Sequence, residues 1–253
     1  MAFYSLAPDR MLLSAKSALV TGAANRLGAK IARTLHQNGA NLIIHYRQSE
    51  LAAQALVTEL NHQRHDSAIA IAANLAEPEQ LESLAQHACD FHDRLDILVN
   101  NASSFYPTRL GNITLQAWDD LLASNYRAPL FLSQACLPAL RRSGGCIINL
   151  IDIYAQKPLL HHSVYCSAKA ANQMLVKSLA LELAPEIRVN GIAPGAILWP
   201  DNSSAQEHDD MLQQIPLARC GTPQAIADTT VFLAANDYIT GEIIAVDGGR
   251  RLK

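Results

Sequence analysis

Tyr165 and Lys169, in the stretch YCSAK, stand four positions apart and could move a proton. On a helix this spacing puts both side chains on the same face. A lysine ammonium near a phenol favours the phenolate, so we expect the pKa of Tyr165 to fall below its usual value of about 10. The pair would then act as a general acid or base near neutral pH.

Asp152 ends the apolar run CIINLID at 146–152, thirteen residues before Tyr165. Burying a carboxylate is costly unless it is paired, protonated or used in chemistry. In a partly desolvated cleft its pKa would rise, and the protonated acid could donate. We expect Asp152 and Tyr165 to titrate as a coupled pair. The alternative is a helix-capping or surface carboxylate.

Apolar runs of strand length alternate with amphipathic helical stretches along the chain. The expected strands, all buried on both faces, are 17–22, 40–46, 67–75, 95–102, 146–152, 187–195 and 243–249. The expected helices are 28–39 with Gly39 as C-cap, 50–63, 77–92, 114–143, 163–183 and 222–235. This alternation predicts one Rossmann-type α/β domain over 1–253, a doubly wound parallel sheet of about seven strands with helices on both faces.

The positions of the strand ends indicate where ligands bind. In such sheets the ligands lie beyond the carboxyl ends of the strands, and Asp152 stands at one of those ends. The segment 197–221 breaks the alternation, because it is polar, contains proline and has no clear period. Its length favours a substrate lid over a simple connection.

The stretch TGAANRLG, 21–28, follows the first expected strand and opens the first helix. Gly22 would allow a tight turn, and Gly28 would let the helix pack closely on the strand. The helix N-terminus would offer free N–H groups to a pyrophosphate. A dinucleotide cofactor is therefore expected at this turn.

The end of the second strand, HYRQS at 45–49, favours NADPH over NADH. It has no acid to hold a ribose 2′-hydroxyl. Arg47 and Ser49 could instead bind a 2′-phosphate through charge-assisted hydrogen bonds. The alternative is that Arg47 is a solvated surface cation.

The composition argues against several classes of partner. The chain has 253 residues, of which 49% are hydrophobic, and a net charge of −3. Mild acidity disfavours nucleic acid or an anionic membrane surface as the main partner. Five scattered cysteines without a C-x-x-C pair are expected to be free thiols in a reducing compartment, which favours the cytoplasm. No histidine spacing suggests a metal site, and the N-terminus, without a long apolar run, is expected to be neither a signal peptide nor a membrane span.

Four stretches together resemble the short-chain dehydrogenase/reductase superfamily. They are TGAANRLG, with Arg26 where the middle glycine of the family usually stands, NNA at 100–102, SNY at 124–126 and YCSAK. The resemblance implies that Asn125 holds a proton-relay water to Lys169, whose ammonium also binds the nicotinamide ribose. It further implies that APG at 193–195 flanks the nicotinamide.

Within that superfamily the chain is similar to the pteridine reductase branch. Asp152 stands where the family usually has a serine, and VNNASSFYP at 99–107 and HYRQS also match the branch. The resemblance implies that Phe105 stacks on a pterin whose other face meets the nicotinamide. Asp152 and Tyr165 would then deliver a proton to a ring nitrogen while NADPH supplies hydride. Ser103 and Arg26 would bind the polar edge of the ring or the cofactor phosphates.

The residues assigned on these grounds form three overlapping groups. The catalytic group is Asp152, Tyr165, Lys169 and Asn125. The NADPH site is Gly22, Arg26, Leu27, Gly28, Tyr46, Arg47, Ser49, Asn74, Leu75, Asn101, Ala102, Ser103, Tyr165, Lys169, Pro194, Gly195 and Ile197. The substrate site is Arg26, Ser103, Phe105, Asp152, Tyr165 and Leu198. The family also implies a homotetramer built partly from the helix 163–184 and the last strand.

Two departures from the family and two rival functions accompany this assignment. Asn74 replaces an aspartate near the adenine, and Gln48 stands where close relatives carry a second basic residue, so phosphate binding would depend on Arg47. A short-chain carbonyl reductase, for example of 3-oxoacyl thioesters, would predict serine at 152 and needs no aromatic residue at 105. A non-catalytic NADP(H)-sensing regulator would tolerate loss of the tyrosine–lysine pair. The sequence leaves open whether the substrate is a dihydropterin, dihydrofolate or an oxidised pterin or folate.

Overall fold

A single parallel sheet with helices on both faces organises the chain in the computed structural model, which describes residues 11–198 and 205–253. Its strands are β1 (Ser17–Val20), β2 (Asn41–Tyr46), β3 (Ala68–Ala72), β4 (Ile97–Asn100), β5 (Cys146–Leu150), β6 (Arg188–Pro194) and β7 (Ile243–Val246). They lie in the order β3-β2-β1-β4-β5-β6-β7, and every pairing is parallel. The predicted Rossmann-type fold is confirmed.

Eight α-helices connect or follow these strands in the described residues. They are α1 (Arg26–Gln37), α2 (Glu50–Gln63), α3 (Pro78–Asp90), α4 (Leu115–Leu122), α5 (Ala128–Ser143), α6 (Ser163–Leu183), α7 (Ala205–Gln213) and α8 (Pro223–Ala235). Side-chain caps begin two of them, because Thr114 and Thr222 accept from the backbone N–H groups three residues on. Gly39 lies just past α1 with a φ of +99°, a conformation that favours glycine at a helix end. Within the described part of the chain, no helix has the length and apolar character needed to cross a membrane.

Two apolar clusters, one on each face of the sheet, hold the helices in place. Val20 faces the cluster beneath α1 and α8, whereas its neighbour Leu19 faces the cluster beneath α3 and α5. This alternation follows from the pleat, which points successive side chains to opposite faces. The central strands β1, β4 and β5 are buried on both faces, as expected.

The prediction that all strands are buried on both faces is wrong for the two edges of the sheet. β3 and β7 are each half-buried along most of their length. An edge strand has a neighbour on one side only, and the helices cover it incompletely. The described residues therefore leave β7 open along one side of the molecule.

The stretch 114–143, expected as one helical run, is divided in three. Residues 123–127 form a turn of π-helix between α4 and α5. Pro129 has no N–H group, so the carbonyl of Asn125, four residues earlier, lacks its usual helical donor. The π-helical turn, in which a carbonyl accepts from the N–H five residues on, accommodates this break. Asn125 is buried within it.

The segment 197–221 also differs from expectation. The sequence shows no clear period there, yet α7 occupies residues 205–213. Ile215, just after this helix, is buried and anchors the segment to the body of the protein. Residues 199–204 of the expected lid, which include Trp199, lie outside the described residues.

Candidate active site

Asp152 and Tyr165 meet at the carboxyl end of β5. Asp152 follows this strand by two residues, and Tyr165 lies in the first turn of α6. The Tyr165 hydroxyl donates to Oδ2 of Asp152 at 2.7 Å. Oδ1 accepts from the backbone N–H of Tyr154 at 2.9 Å. Asp152 thus caps the short helical turn at 153–155 with one oxygen and holds the tyrosine with the other.

Burial controls the ionisation of this pair. It raises the pKa of Asp152 above its usual value, as predicted, and the opposing hydrogen bonds from Tyr154 and Tyr165 do not cancel the effect. Burial and the neighbouring Asp152 charge also raise the pKa of Tyr165. The expected lowering of the tyrosine pKa is therefore wrong. Tyr165 therefore holds its proton at neutral pH and donates a hydrogen bond as a neutral phenol, not a phenolate.

Lys169 lies beneath the tyrosine and is buried. Its Nζ is 5.8 Å from the centre of the Tyr165 ring and donates to the carbonyl of Leu150 at 2.8 Å. Burial lowers the pKa of Lys169 to about 8, although the charge of Asp152 acts in the opposite direction. Burial of Tyr165 and the charge of Asp152 therefore outweigh any lowering of the tyrosine pKa by the Lys169 ammonium.

Asn125 links two elements of the site. Its side-chain oxygen accepts from the hydroxyl of Ser103 at 2.7 Å. Its amide nitrogen donates to the carbonyls of Ser104 at 2.9 Å and Leu121 at 3.0 Å. These bonds attach the loop after β4 to the π turn, while the relay water to Lys169 remains a prediction.

Phe105 forms an exposed aromatic wall opposite the tyrosine. Its side chain is 56% exposed, so the alternative of a core-packing aromatic is wrong. One face of the ring stacks on His162, with centroids 4.8 Å apart and planes 15° apart. Tyr165 meets Phe105 edge-on at 4.8 Å. His162 therefore supports this wall, a role that was not predicted from the sequence.

A cleft of about 630 Å³ opens beside these residues, at the carboxyl ends of β1, β2 and β4. Thirteen predicted site residues line it: Gly22, Arg26, Leu27, Gly28, Arg47, Ser49, Asn74, Leu75, Asn101, Ala102, Ser103, Phe105 and Leu198. Further lining residues include Asn25, His45, Gln48, Ala76, Ser104, Asp120, Ala123 and Ser124. The cleft lies where β1 pairs with β2 on one side and β4 on the other, the usual ligand position in a doubly wound sheet.

The glycine-rich turn leaves no room for side chains at its two key positions. A Cβ on Gly28 would lie 2.3 Å from the carbonyl oxygen of Gly22, and Gly22 has a φ of +61°. The Asn101 amide donates to the carbonyl of Thr21 at 2.8 Å, and the Thr21 hydroxyl accepts from the Asn101 N–H at 2.9 Å. The backbone is thereby open on the cleft side at the start of α1, which fits the pyrophosphate group of a nicotinamide dinucleotide.

His45 supports the same turn from below and was missed in the sequence. Its Nδ1 accepts from the N–H of Gly22 at 3.0 Å, and its Nε2 lies 3.1 Å from the carbonyl of Ala73. The Gly22 bond requires an unprotonated Nδ1, so the proton is on Nε2 and the ring is neutral. Burial lowers the pKa of His45 to about 4. A histidine near the end of a strand matches no sequence motif, so this role becomes visible only in the folded structure.

The residues after β2 fit a phosphorylated ribose. Arg47, Gln48 and Ser49 line the cleft in succession, all exposed, and none of the three carries a negative charge. Tyr46, in contrast, packs its ring in the core. Its side chain is therefore a packing group, and the assignment of Tyr46 to the cofactor site does not extend to the ring.

The remaining predicted cofactor residues lie outside the described lining of the cleft. Pro194 ends β6, and a Cβ on Gly195 would lie 2.7 Å from Asp247, so this glycine is needed for close packing. Ile197 packs against the core beneath Gly221. Asp152, Tyr165, Lys169 and Asn125 lie beyond the end of the cleft, next to Ser103 and Phe105.

Among the described residues, no group of three or more His, Cys, Asp or Glu side chains is arranged to hold a metal ion. All five cysteines are free. Cys136 and Cys146 are buried, and burial raises the pKa of both thiols. Those two behave as small apolar residues of the core.

Comparison with known proteins places these features in a family. Residues 22–251 match the family model described as Enoyl-(Acyl carrier protein) reductase. Pteridine reductase 1 of Leishmania tarentolae is 37% identical over 281 residues, covering 94% of this chain and 97% of that protein. A 3-oxoacyl-(acyl-carrier-protein) reductase of Staphylococcus aureus is 38% identical over 240 residues, covering 92% of this chain and 97% of that protein. The enzyme of the same name from Synechocystis is 35% identical over 242 residues, covering 94% of this chain and 97% of that protein.

Proposed function

The chain belongs to the short-chain dehydrogenase/reductase superfamily of oxidoreductases, and from this premise we propose that it is an NADPH-dependent pteridine reductase. The reaction would reduce a C=N bond of a pterin or dihydropterin, and dihydrofolate and folate, which contain the same ring, are further candidate substrates. Hydride would be added at carbon and a proton at nitrogen. Relatives that reduce pterins and relatives that reduce 3-oxoacyl thioesters are equally similar, so the proposal depends on the site itself.

The contact between Asp152 and Tyr165 carries the proposal. A carbonyl reductase needs one donor to an oxygen that becomes an alcohol, and a hydroxyl suffices at position 152. Reduction of a ring C=N bond needs an acid that protonates nitrogen, and a carboxyl group with a raised pKa can supply it. The 2.7 Å hydrogen bond joins this carboxyl group to the tyrosine hydroxyl.

The cofactor and three residues of the chain would have separate roles in this reaction. NADPH supplies the hydride when bound. Tyr165 donates its proton to the substrate nitrogen, and protonated Asp152 returns one to the tyrosine oxygen through their hydrogen bond. Lys169, charged below a pKa of about 8 and 5.8 Å from the centre of the tyrosine ring, would hold the nicotinamide ribose and stabilise the tyrosine oxygen once the proton has left.

Phe105 would bind the flat face of the pterin. The ring is exposed, it is backed by His162, and it lies edge-on to Tyr165 at 4.8 Å. A heteroaromatic ring between Phe105 and the nicotinamide would be held parallel to both. Ser103 and Arg26, which also line the cleft, would bind its polar edge.

The preference for NADPH rests on Arg47 and Ser49. Both line the cleft after β2, and a pyrophosphate bound at the glycine turn would bring the adenosine half of the cofactor near them. A 2′-phosphate would meet a guanidinium that is exposed on the cleft side. Asn74 and Leu75 would lie beside the adenine.

A second candidate is reduction of a 3-oxoacyl thioester. It is favoured by the 38% identity with the Staphylococcus aureus enzyme. Reduction of a thioester requires neither a carboxyl group at position 152 nor an exposed aromatic side chain at position 105. We rank this function second because both are present.

The test is NADPH oxidation by the purified protein with biopterin, dihydrobiopterin, dihydromonapterin, dihydrofolate and an acetoacetyl thioester. Wild type and Asp152→Ser are compared on each. Pterin turnover that falls by about 100-fold in the variant supports the proposal, since general acid catalysis contributes factors of roughly this size. Turnover of the thioester alone, unchanged in Asp152→Ser, would refute it.

We also propose a cytoplasmic homotetramer, as the family resemblance implies. On α6, Met174 is 61% exposed and Leu181 is 85% exposed, and β7 is half-buried at the edge of the sheet. Burial of these apolar surfaces against other copies would remove them from water. Light scattering after size-exclusion chromatography tests this: a monomer at micromolar concentration would contradict it.

A further inference from the structure

Four buried asparagine residues form a continuous hydrogen-bonded chain beneath the site. Asn100 at the end of β4 donates to Asn149 on β5 at 2.8 Å. Asn149 donates to Asn172 on α6 at 2.7 Å, and Asn172 donates to the backbone carbonyl of Asn125 at 2.9 Å. All four residues are buried. The chain therefore joins two strands, helix α6 and the π turn in the interior.

The direction of these hydrogen bonds is fixed by the last acceptor. A carbonyl oxygen can only accept, so Asn172 must present its NH₂ group to Asn125 and its oxygen to Asn149. The same reasoning then orients Asn149 toward Asn100. The side-chain amides of Asn149 and Asn172 each donate one of these hydrogen bonds and accept another, and reversing either would leave two buried oxygens facing each other.

The carbonyl of Asn125 has lost its usual α-helical donor. In an α-helix it would accept from the residue four positions on, which here is Pro129, a residue without an N–H group. The carbonyl lies on a buried residue, where an unpaired backbone oxygen is costly. Asn172 supplies the donor that the proline removes.

Asn172 shares a helix face with the proposed catalytic residues. Tyr165, Lys169 and Asn172 follow one another at spacings of four and three on α6. Asn125, on the other side of the contact, holds Ser103 and Ser104, the two residues before Phe105. One hydrogen bond thus connects the helix that carries Tyr165 with the turn that holds the Phe105 loop.

We infer that Asn172 is a positioning residue, which sets the distance between the tyrosine and the aromatic wall by fixing the Asn125 carbonyl. It touches neither substrate nor cofactor, and it acts through Asn125. This inference rests on the proposed function for the roles of Tyr165 and Phe105. Its geometric part, the coupling of α6 to the π turn, holds for reduction of either substrate class.

Two variants separate the donor from the acceptor of Asn172. Asn172→Asp keeps an oxygen to accept from Asn149, and at a pH above the raised pKa of a buried acid its carboxylate has no N–H or O–H to donate to Asn125. Asn172→Leu removes both functions at similar volume. The matched control is Asn190 on β6, which is also buried and also makes two hydrogen bonds, to the carbonyl of Ile239 at 2.8 Å and from the N–H of Glu242 at 3.1 Å.

The first measurement is steady-state turnover, with NADPH affinity measured separately by fluorescence. We expect both Asn172 variants to lose about 10- to 100-fold in kcat/KM for the substrate, as displaced reacting groups do. The NADPH dissociation constant should stay within about threefold, because the glycine turn is not part of the chain of amides. Asn190→Asp and Asn190→Leu should lower the melting temperature as much as the Asn172 variants do, but they should leave kcat/KM unchanged.

The second measurement is hydrogen exchange of the backbone amides at 123–130, read by mass spectrometry. It should accelerate in both Asn172 variants and not in the Asn190 variants. This readout needs no turnover, and unchanged exchange in β1 of the same variant distinguishes a local effect at 123–130 from poor folding. Unchanged exchange, or kcat/KM within about threefold of wild type in the Asn172 variants, would overturn the inference.

The outcome is separable from that of the proposed function. The kinetic comparison uses whichever substrate the wild type reduces, a pterin or the acetoacetyl thioester. If only the thioester is reduced, the pterin assignment fails, while the loss in the Asn172 variants still supports the positioning role.

Discussion

The hydroxyl of Tyr165 donates to Oδ2 of Asp152 at 2.7 Å, joining the first turn of α6 to the end of β5. Burial raises the pKa of both groups. Each therefore keeps its proton to a higher pH than it would in water, and under the proposed function that proton is available for transfer to the substrate. The following predictions depend on this and on the neighbouring contacts.

Asp152→Asn should abolish most pterin turnover while preserving the fold. The amide oxygen can still accept from the Tyr154 N–H and cap the turn at 153–155, but the side chain can no longer donate a carboxyl proton. We expect kcat to fall by about 100-fold or more. Circular dichroism and the melting temperature check that the fold persists, and a kcat near that of wild type would contradict the acid role of Asp152.

The pH dependence of kcat/KM should have two descending steps. Protonated Asp152 is the active form, so activity falls as pH rises through its raised pKa, which reflects burial opposed by Tyr165, Lys169 and Arg250. Activity falls again near pH 8, where Lys169 loses its charge. In Asp152→Asn the first step should vanish from the residual rate and the second should remain. A profile that rises with pH through both regions would contradict the assignment.

Arg47→Ala should weaken NADPH binding and leave NADH binding unchanged. Arg47 lines the cleft where a 2′-phosphate would lie, and a charge-assisted hydrogen bond contributes about 1.5–3 kcal/mol, or roughly a 10- to 100-fold change in the dissociation constant. Arg141→Ala, at an exposed position near the end of α5, is the matched control. Equal weakening of both cofactors would place Arg47 away from the phosphate.

Phe105→Ala should raise KM for the pterin about tenfold, with a smaller effect on kcat. Stacking of a heteroaromatic ring on an aromatic side chain contributes about 1–3 kcal/mol, and Phe105 presents an exposed ring beside Tyr165. Phe131→Ala on α5, where the side chain is 45% exposed, serves as the control. If Phe105→Leu matches Phe105→Ala in KM, aromatic stacking is the cause, whereas full activity in both variants would exclude it.

His45→Gln should change how stability depends on pH. The native pKa of His45 is about 4, below its usual 6.5, so the unfolded chain binds a proton that the native protein excludes. The stabilising contribution is present above pH 6.5 and is lost as pH falls toward 4, which amounts to about 2 kcal/mol between pH 7.5 and 5. Urea unfolding at both pH values should show that the free energy of unfolding falls less between pH 7.5 and 5 in the variant than in the wild type. His36, whose pKa is also lowered to about 4, remains in both proteins, and an equal loss would rule out the neutral His45 contact.

The sequence alone was sufficient to predict the fold and most of the residues that line the cleft. Runs of strand length and helical stretches are local patterns, and a parallel sheet with right-handed connections brings the carboxyl ends of its strands to one edge. Residues that follow those ends, such as Gly22, Arg47 and Asn101, therefore line the cleft as predicted. The spacing of Tyr165 and Lys169 fixed their common helix face for the same local reason.

Tertiary structure decided the properties that depend on several elements at once. The ionisation of Tyr165 follows from burial and from Asp152, and outweighs the lysine that the spacing emphasised. The bond from Asn172 to Asn125 and the support of the glycine turn by His45 join residues 47 and 23 positions apart. Desolvation and long-range hydrogen bonds are set by what surrounds a group in space, and no local pattern of the chain encodes them.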